Sequence, residues 1–155
     1  MQKLRTEELI VRTIKQEDFD AIVDVDAQVS GVRRPDYYRR KFQRALDTSD
    51  RLQSDYVALH QGRVVGFIMG DVFMGEFGIP ETTASIDTIG VDPQWQGSGV
   101  ASLLFETFLT AARKSGVERI QTLVNWKDWD LLKFFASFGF STSGTLHLKL
   151  DLLEK

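Results

Sequence analysis

The 155-residue chain has no cysteine, only two histidines (His60 and His147) and three prolines. Without cysteine there is no disulfide, no thiolate metal site and no route that parks an acyl group on enzyme sulfur. Two histidines leave a His/Cys metal centre almost without ligands, so no metal is expected. No apolar run approaches the roughly 20 residues that span a bilayer. Residues 1–8 are charged rather than apolar, and a soluble cytoplasmic chain with no membrane partner is the expectation. Neither charge sign dominates. With 19 Lys+Arg against 22 Asp+Glu the net charge is −3, and the chain lacks the broad positive field of a duplex-binding protein. What remains is ordinary globular material, 43% hydrophobic and 26% charged, of a length that suits one domain over residues 1–155.

The pattern alternates strands and helices. Leu9–Arg12 reads as a strand, and Gln16–Asp26 as a helix with Phe19, Ile22 and Val23 at helical spacing. Pro35–Leu46 reads as a second helix, with proline in its first turn and Tyr38, Phe42 and Ala45 on one stripe. Runs 55–60 and 63–74 are β-rich and joined by Gln61-Gly62, a hairpin signal. The segment 74–81 is a loop, and Thr82–Val91 is a strand ended by Asp92-Pro93. Ser98–Ser115 is the clearest helix, followed by Gly116 where a terminating glycine belongs. A strand over 117–124, a helix over 128–138 and a last strand over 140–150 complete a mixed α/β layer structure, a central sheet flanked by about four helices.

The sharpest local signal is Val91-Asp92-Pro93-Gln94-Trp95-Gln96-Gly97-Ser98-Gly99-Val100-Ala101. A strand stops at proline, the chain turns through two glycines, and a long amphipathic helix begins. Helix starts present unpaired N–H donors and a partial positive charge that attract phosphate oxygens. A plain strand-to-helix turn capped by Ser98 would look the same from the loop alone. Two other phosphate loops fail on spacing. A P-loop needs Gly-Lys-Ser/Thr, and Gly99 is followed by Val100; a dinucleotide fingerprint begun at Gly97 needs glycine at position 102, which is Ser102.

Gln96-Gly97-Ser98-Gly99-Val100-Ala101 resembles the Gln/Arg-x-x-Gly-x-Gly/Ala acetyl-CoA signature of the GNAT superfamily of N-acetyltransferases. A second segment agrees: Asp128-Trp129-Asp130-Leu131-Leu132-Lys133-Phe134-Phe135-Ala136-Ser137-Phe138-Gly139-Phe140 is similar to that family's late helix ending in Gly-Phe. The resemblance implies a GNAT-like fold, acetyl-CoA as cosubstrate, an amine acceptor and a homodimer. It places the cofactor's diphosphate on the main-chain amides of Gln96, Gly97, Ser98, Gly99, Val100 and Ala101, with the Ser102 hydroxyl beside them. It also implies that the pantetheine arm pairs with the backbone of Ile89, Gly90 and Val91. A strand-interior glycine such as Gly90 suits a close backbone approach, and suits a simple twist equally.

The late helix departs from the family pattern at two cofactor positions. Asp128 stands where asparagine is usual, and reads as a helix cap. Phe135 stands where a tyrosine would protonate the departing thiolate. A thiol of pKa about 8.5 leaves tolerably near neutrality without that donor; Tyr37 is the freer tyrosine for the task, since Tyr38 lies on the apolar stripe. An alkyl ammonium of pKa about 10.4 must lose a proton before it attacks, which asks for a base. Asp87, on the strand before the glycine loop and among apolar neighbours, is the first candidate, ahead of Glu76 and Glu81 in the preceding loop.

Residues 31–44 hold Arg33, Arg34, Arg39, Arg40, Lys41 and Arg44 against one acid, Asp36. Arg33, Arg34 and Tyr37 are placed by the resemblance on a wall of the acceptor pocket, where they would meet a carboxylate or phosphate on the acceptor. Nucleic acid is disfavoured, because the aromatics fall on the buried stripe rather than between the arginines. Of the aromatics around the late helix, Phe134 and Phe138 read as core, while Trp126 and Trp129 stand near the helix start, beside the cofactor arm or the acceptor. Phe135 also admits a reading from another class, an acyl-CoA-binding regulatory module without turnover.

Overall fold

Strand β1 (Leu9–Thr13) leads into a 3-10 turn at Gln16–Asp18, helix α1 (Phe19–Ser30) and helix α2 (Pro35–Leu46). Next come β2 (Tyr56–His60), β3 (Arg63–Phe73), β4 (Thr83–Val91), helix α3 (Val100–Lys114), β5 (Arg119–Thr122) and helix α4 (Trp129–Ser137). This computed structural model describes residues 8–47 and 54–153, so the charged amino-terminal run 1–7 lies outside the described residues. The sheet order is β1-β2-β3-β4-β5; the first four strands are antiparallel neighbours, and β5 runs parallel to β4. Backbone contacts group the chain into two compact units, 1–122 and 123–155.

In the first unit the two sheet faces are covered by different helices, as strand alternation dictates. Val57, Leu59, Phe67 and Met69 share a buried cluster with Ile22, Val23 and Val25 of α1 and with Tyr38 and Phe42 of α2. The opposite parity of β3 carries Gly66 and Gly70, and here α3 approaches the sheet. A Cβ at Gly66 would lie 2.8 Å from Val100, and one at Gly70 would lie 2.6 Å from the Phe108 ring and 2.3 Å from the Ser85 carbonyl. Small residues at these two sites let the helix sit close, and that seats the amino end of α3 beside the carboxyl end of β4.

Four elements differ from the sequence expectation. The first helix is split, with 3-10 geometry at 16–18 and α-helix from Phe19 to Ser30, where Gly31 ends it at φ 79°. Helix α3 starts at Val100 with Gly99 as its N-cap residue (φ 91°) rather than Ser98, whose hydroxyl turns back to the Trp95 carbonyl. The expected strand 117–124 contracts to Arg119–Thr122, and the expected last strand over 140–150 has no strand pairing among the described residues. Period-2 alternation was present there, but a strand is defined by a partner as much as by its own sequence.

Candidate active site

The turn between β4 and α3 is organised by Asp92, 3% exposed. Its N–H donates to the Val65 carbonyl at 2.9 Å, its carboxylate accepts the Gln94 N–H at 2.9 Å, and its carbonyl accepts the Trp95 N–H at 2.8 Å. Proline at 93 suits the first position of the resulting 3-10 turn, Pro93–Trp95. The Gln96 side chain reaches back to the Val91 carbonyl (3.4 Å), and the His60 ring lies 4.6 Å from Trp95. The sequence marks Asp92-Pro93 only as a strand end, although an acid between a strand end and a proline is a recognisable capping signal.

Beyond this turn the amides divide into two sets. Gln96 N–H donates to Pro93 (3.5 Å) and Ser98 N–H to Trp95 (3.3 Å), so both close turns within the loop. The first internal bond of α3 runs from Leu103 N–H to the Gly99 carbonyl at 3.0 Å. The N–H groups of Val100, Ala101 and Ser102 therefore stand at the open amino end of a 15-residue helix, the positive end of its dipole. Gly97 (φ 79°) and Gly99 (φ 91°) hold left-handed conformations, and a Cβ at Gly97 would meet nothing within 4 Å. The loop thus has room in front of it. Its donor set is shifted toward the helix relative to the stretch 96–101 expected from sequence.

Beside that end, β4 offers an unpaired edge. The parallel register with β5 runs from Thr83↔Arg119 to Ile86↔Thr122 and stops, with the Thr122 hydroxyl donating to the Ile86 carbonyl at 2.9 Å. Residues 87–91 continue against β3 only, so within the first unit Ile89, Gly90 and Val91 have no strand on their other side among the described residues. Gly90 has a packing reason of its own: a Cβ there would lie 2.7 Å from the Phe67 ring.

Asp87 sits where the β3–β4 register slips. Met69 pairs with Thr88 and Gly70 with Ile86, which leaves Asp87 as the extra residue of a bulge. The bulge corrects the expectation of apolar surroundings. The Asp87 carboxylate meets Lys41 Nζ at 2.6 Å and accepts the Ser85 hydroxyl at 3.0 Å, with a quarter of its side chain exposed. Lys41 stood in the sequence only as one cation of the basic run, since nothing local announces a pair 46 residues apart. One residue on, the Thr88 hydroxyl lies 3.4 Å from the Tyr38 hydroxyl. Tyr38 is fully buried, as its stripe position implied, and burial pushes its phenol well above the usual range. Tyr37, half-buried, packs edge-on against Tyr38 under the cations of Arg34 (4.9 Å) and Lys41 (5.6 Å). Glu76 lies in an exposed 3-10 turn, and Glu81 faces Arg119 at 3.7 Å.

The basic segment is largely neutralised. Arg33 pairs with Asp24 (2.6 Å), Arg34 clamps Asp26 with two bonds (2.6 and 2.9 Å), and Arg39, Lys41 and Arg44 pair with Asp36, Asp87 and Asp71. The Asp26 hydrogen bonds hold the Arg34 guanidinium more firmly protonated than usual, against the opposing effect of burial. Arg34 is thus a tie between α1 and α2, not the free anion receptor the sequence suggested. Arg33 is the more accessible of the two, and its partner is exposed as well.

In the second unit Asp128 caps α4, accepting the Leu131 N–H at 3.1 Å. Asn125, unremarked in the sequence, caps the preceding turn through the Lys127 N–H (2.9 Å). Phe135 is the buried residue of α4, stacked near Phe134 (5.2 Å) and Phe140 (4.9 Å), whereas Phe134 and Phe138, expected in the core, are half-buried. Trp126 and Trp129 are exposed.

Comparison with known proteins agrees with this geometry. A mycothiol acetyltransferase of Brachybacterium faecium is 30% identical over 111 residues, 72% of this chain; the chain spans about a third (32%) of that relative's length. A transcriptional regulator from Bacillus halodurans superposes with a TM-score of 0.77 at 19% identity, covering 93% of this chain and 99% of the other. The aminoglycoside N-acetyltransferase AAC(6')-Iy, solved in complex with CoA, also gives 0.77 at 14% identity, covering 94% and 95%. The model of the acetyltransferase (GNAT) family matches residues 16–140, so the chain belongs to that family, and the mixed sheet with its open helix end is the acyl-CoA-dependent acyltransferase fold.

Proposed function

We propose that the chain transfers an acetyl group from acetyl-CoA directly to a primary amine on a small molecule or a peptide. The observation that supports this most is the adjacency of the open amino end of α3 to the unpaired edge of β4. The residues suit such a cosubstrate. The N–H groups of Val100, Ala101 and Ser102 at the open end of α3, with unobstructed space beside Gly97, suit a diphosphate, and the backbone of Ile89, Gly90 and Val91 suits a pantetheine arm. When bound, acetyl-CoA supplies an activated thioester carbonyl and a thiolate leaving group.

The chain's own part is to position and to deprotonate. In the net reaction the amine nitrogen bonds to the acyl carbon, the C–S bond breaks, the nitrogen loses a proton and the sulfur gains one. Asp87 is the base in this reading: Lys41 and Ser85 orient its carboxylate, and each oxygen keeps a free lone pair. Tyr37 is the readier proton source for the sulfur, because buried Tyr38 is a weaker acid than an ordinary phenol. Glu76 ranks behind Asp87, because it lies in an exposed 3-10 turn. Much of the rate then comes from holding two reactants together. Arg33 is the side chain for which an acceptor carboxylate or phosphate would compete with Asp24. No described helix is long and apolar enough to cross a membrane.

Phe135 favours a second reading, a binding module without turnover, because the position the family gives to a proton donor holds a side chain with no proton to give. Calorimetry with coenzyme A and thiol release from acetyl-CoA against a panel of amines separate the two. Heat together with amine-dependent release supports acetyl transfer. Heat without release on any amine selects the binding module, and no heat removes both.

A further inference from the structure

Two buried polar residues that the proposed reaction does not use lie just before β2. Ser54 is 2% exposed and Asp55 6%. The β2–β3 ladder ends at Tyr56↔Ile68, and two residues further along β3 the main chain of Gly70 meets side chains instead of backbone. The Ser54 hydroxyl donates to the Gly70 carbonyl at 2.9 Å, and the Gly70 N–H donates to Asp55 Oδ1 at 3.1 Å. The Asp55 carbonyl accepts the Ile14 N–H at 3.1 Å, which ties the pair to the end of β1. Burying a hydroxyl and a carboxylate is costly unless each is hydrogen-bonded, and here both serve one glycine.

The other neighbour of that glycine gives the grip its meaning. On the β4 side Gly70 pairs with Ile86 while Met69 pairs with Thr88, so Gly70 stands at the step where β4 inserts Asp87. A Cβ on Gly70 would overlap the Ser85 carbonyl and the Phe108 ring, which leaves β3 no slack there. Ser85 is also the residue whose hydroxyl bonds the Asp87 carboxylate. Asp55 and Gly70 line one small cavity together with Lys41 and Asp87. A register that slips by one residue carries a side chain to the opposite face of a sheet, so the direction in which a bulge aims its extra residue depends on how firmly the partner strand is held. We infer that Ser54 and Asp55 are positioning residues for Asp87. By holding both polar groups of Gly70 they fix β3 against the bulge, and the bulge presents the Asp87 carboxylate to Lys41 and to the acceptor amine. The inference rests on the reading of Asp87 as the base, and it gives the segment before β2 a share in the reaction that is exerted through Gly70.

Asp55→Ala takes the carboxylate away from Gly70, and kcat for amine-dependent thiol release should fall about 10- to 100-fold, the scale on which a misplacement of about 1 Å acts. Coenzyme A affinity, measured by calorimetry, should change by less than about twofold. Asp55→Asn, whose amide oxygen still accepts the Gly70 N–H, should keep kcat within about threefold of wild type. In an Asp87→Asn background Asp55→Ala should cost less than about twofold more, because effects that run through one residue do not add. An equal loss in both backgrounds, or coenzyme A affinity that falls in step with kcat, overturns the proposal. The placement of Asp87 is also read without turnover, by trace acetylation with acetic anhydride followed by mass spectrometry. Labelling of Lys41 relative to Lys114 should rise at least about threefold in Asp55→Ala, as in Asp87→Asn, once the ion pair that covers the amine is lost. Unchanged labelling in Asp55→Ala overturns the proposal. Should Asp87→Asn keep the wild-type kcat, the base reading fails, and the labelling alone decides whether Ser54 and Asp55 place Asp87. Should Asp55→Ala fail to fold, Ser54→Ala carries the same outcomes, with kcat lowered about three- to tenfold.

Discussion

Two stretches of this chain advertise affinity for anions, and the structure treats them in opposite ways. Residues 33–44 carry six basic side chains, and five of them are paired with acids, Arg34 with an Asp26 that is nearly buried. Residues 93–102 carry no formal charge at all, yet end in an open helix terminus with free space before it. Formal charge is cancelled by any partner the fold brings close. Main-chain donors at a helix start cannot be cancelled from within the helix, because no preceding turn exists to accept them.

Replacing Gly97 and Gly99 together by valine should have the largest effect on that contrast. Both positions hold φ near +79° and +91°, which a β-branched residue adopts only with strain of about 1–3 kcal/mol each. Coenzyme A affinity, measured by calorimetry, should fall by roughly 100-fold, while the Arg33→Ala protein binds it unchanged. Equal losses in both variants would erase the distinction between the two stretches.

Arg34→Ala should come next, in stability rather than in binding. It leaves Asp26, 5% exposed, without its clamp. Removing one partner of a buried pair costs about 3–5 kcal/mol, and the 40% exposure of the Arg34 side chain reduces the expectation to about 2 kcal/mol by urea denaturation.

The Arg12–Asp18 pair gives the pH dependence. Burial would raise the Asp18 carboxyl, but two hydrogen bonds from Arg12 (2.7 and 2.9 Å) and one from the Lys15 N–H outweigh it and hold the group below its ordinary 3.8. A depressed carboxyl contributes stability that is fully present above its unfolded value and is lost as pH falls through its folded one. Stability should therefore hold down to about pH 5 and decline below pH 4, and Asp18→Asn should flatten that decline.

Arg33→Ala should have the smallest effect on the fold. An exposed pair contributes at most about 1 kcal/mol, so the denaturation midpoint should barely move, while KM for an anionic acceptor rises about three- to tenfold. Equal KM on neutral and anionic amines would remove Arg33 from the acceptor site. Asp87→Asn sharpens the same site from the other side: kcat should fall by about 100-fold or more with coenzyme A affinity retained, the range of a lost general base.

Much of the fold was legible because its signals are local. Pro35 with Asp36 and the Tyr38-Phe42-Ala45 stripe set the second helix at the residues observed, and Gln61-Gly62 fixed the β2–β3 hairpin. The glycine turn and the Asp128 cap were legible for the same reason, since caps and positive φ are properties of a few adjacent residues. The surroundings of Asp87 were not, because its exposure follows from a bulge against β3 and its partner Lys41 comes from a distant helix. The pairing of the basic segment was hidden likewise, its acids lying on α1, β3 and β4 as well as beside it.

The sequence by itself determined the second helix, the β2–β3 hairpin, the presence of a glycine-rich helix start and the family to which it belongs, since each rests on neighbours within a few residues. The tertiary structure alone decided which charges are already satisfied, that β4 outruns β5 to leave an edge beside that helix, and that the leucine-rich terminal segment lacks a strand partner among the described residues. These depend on the register and spacing of segments far apart in the chain, which local periodicity does not encode.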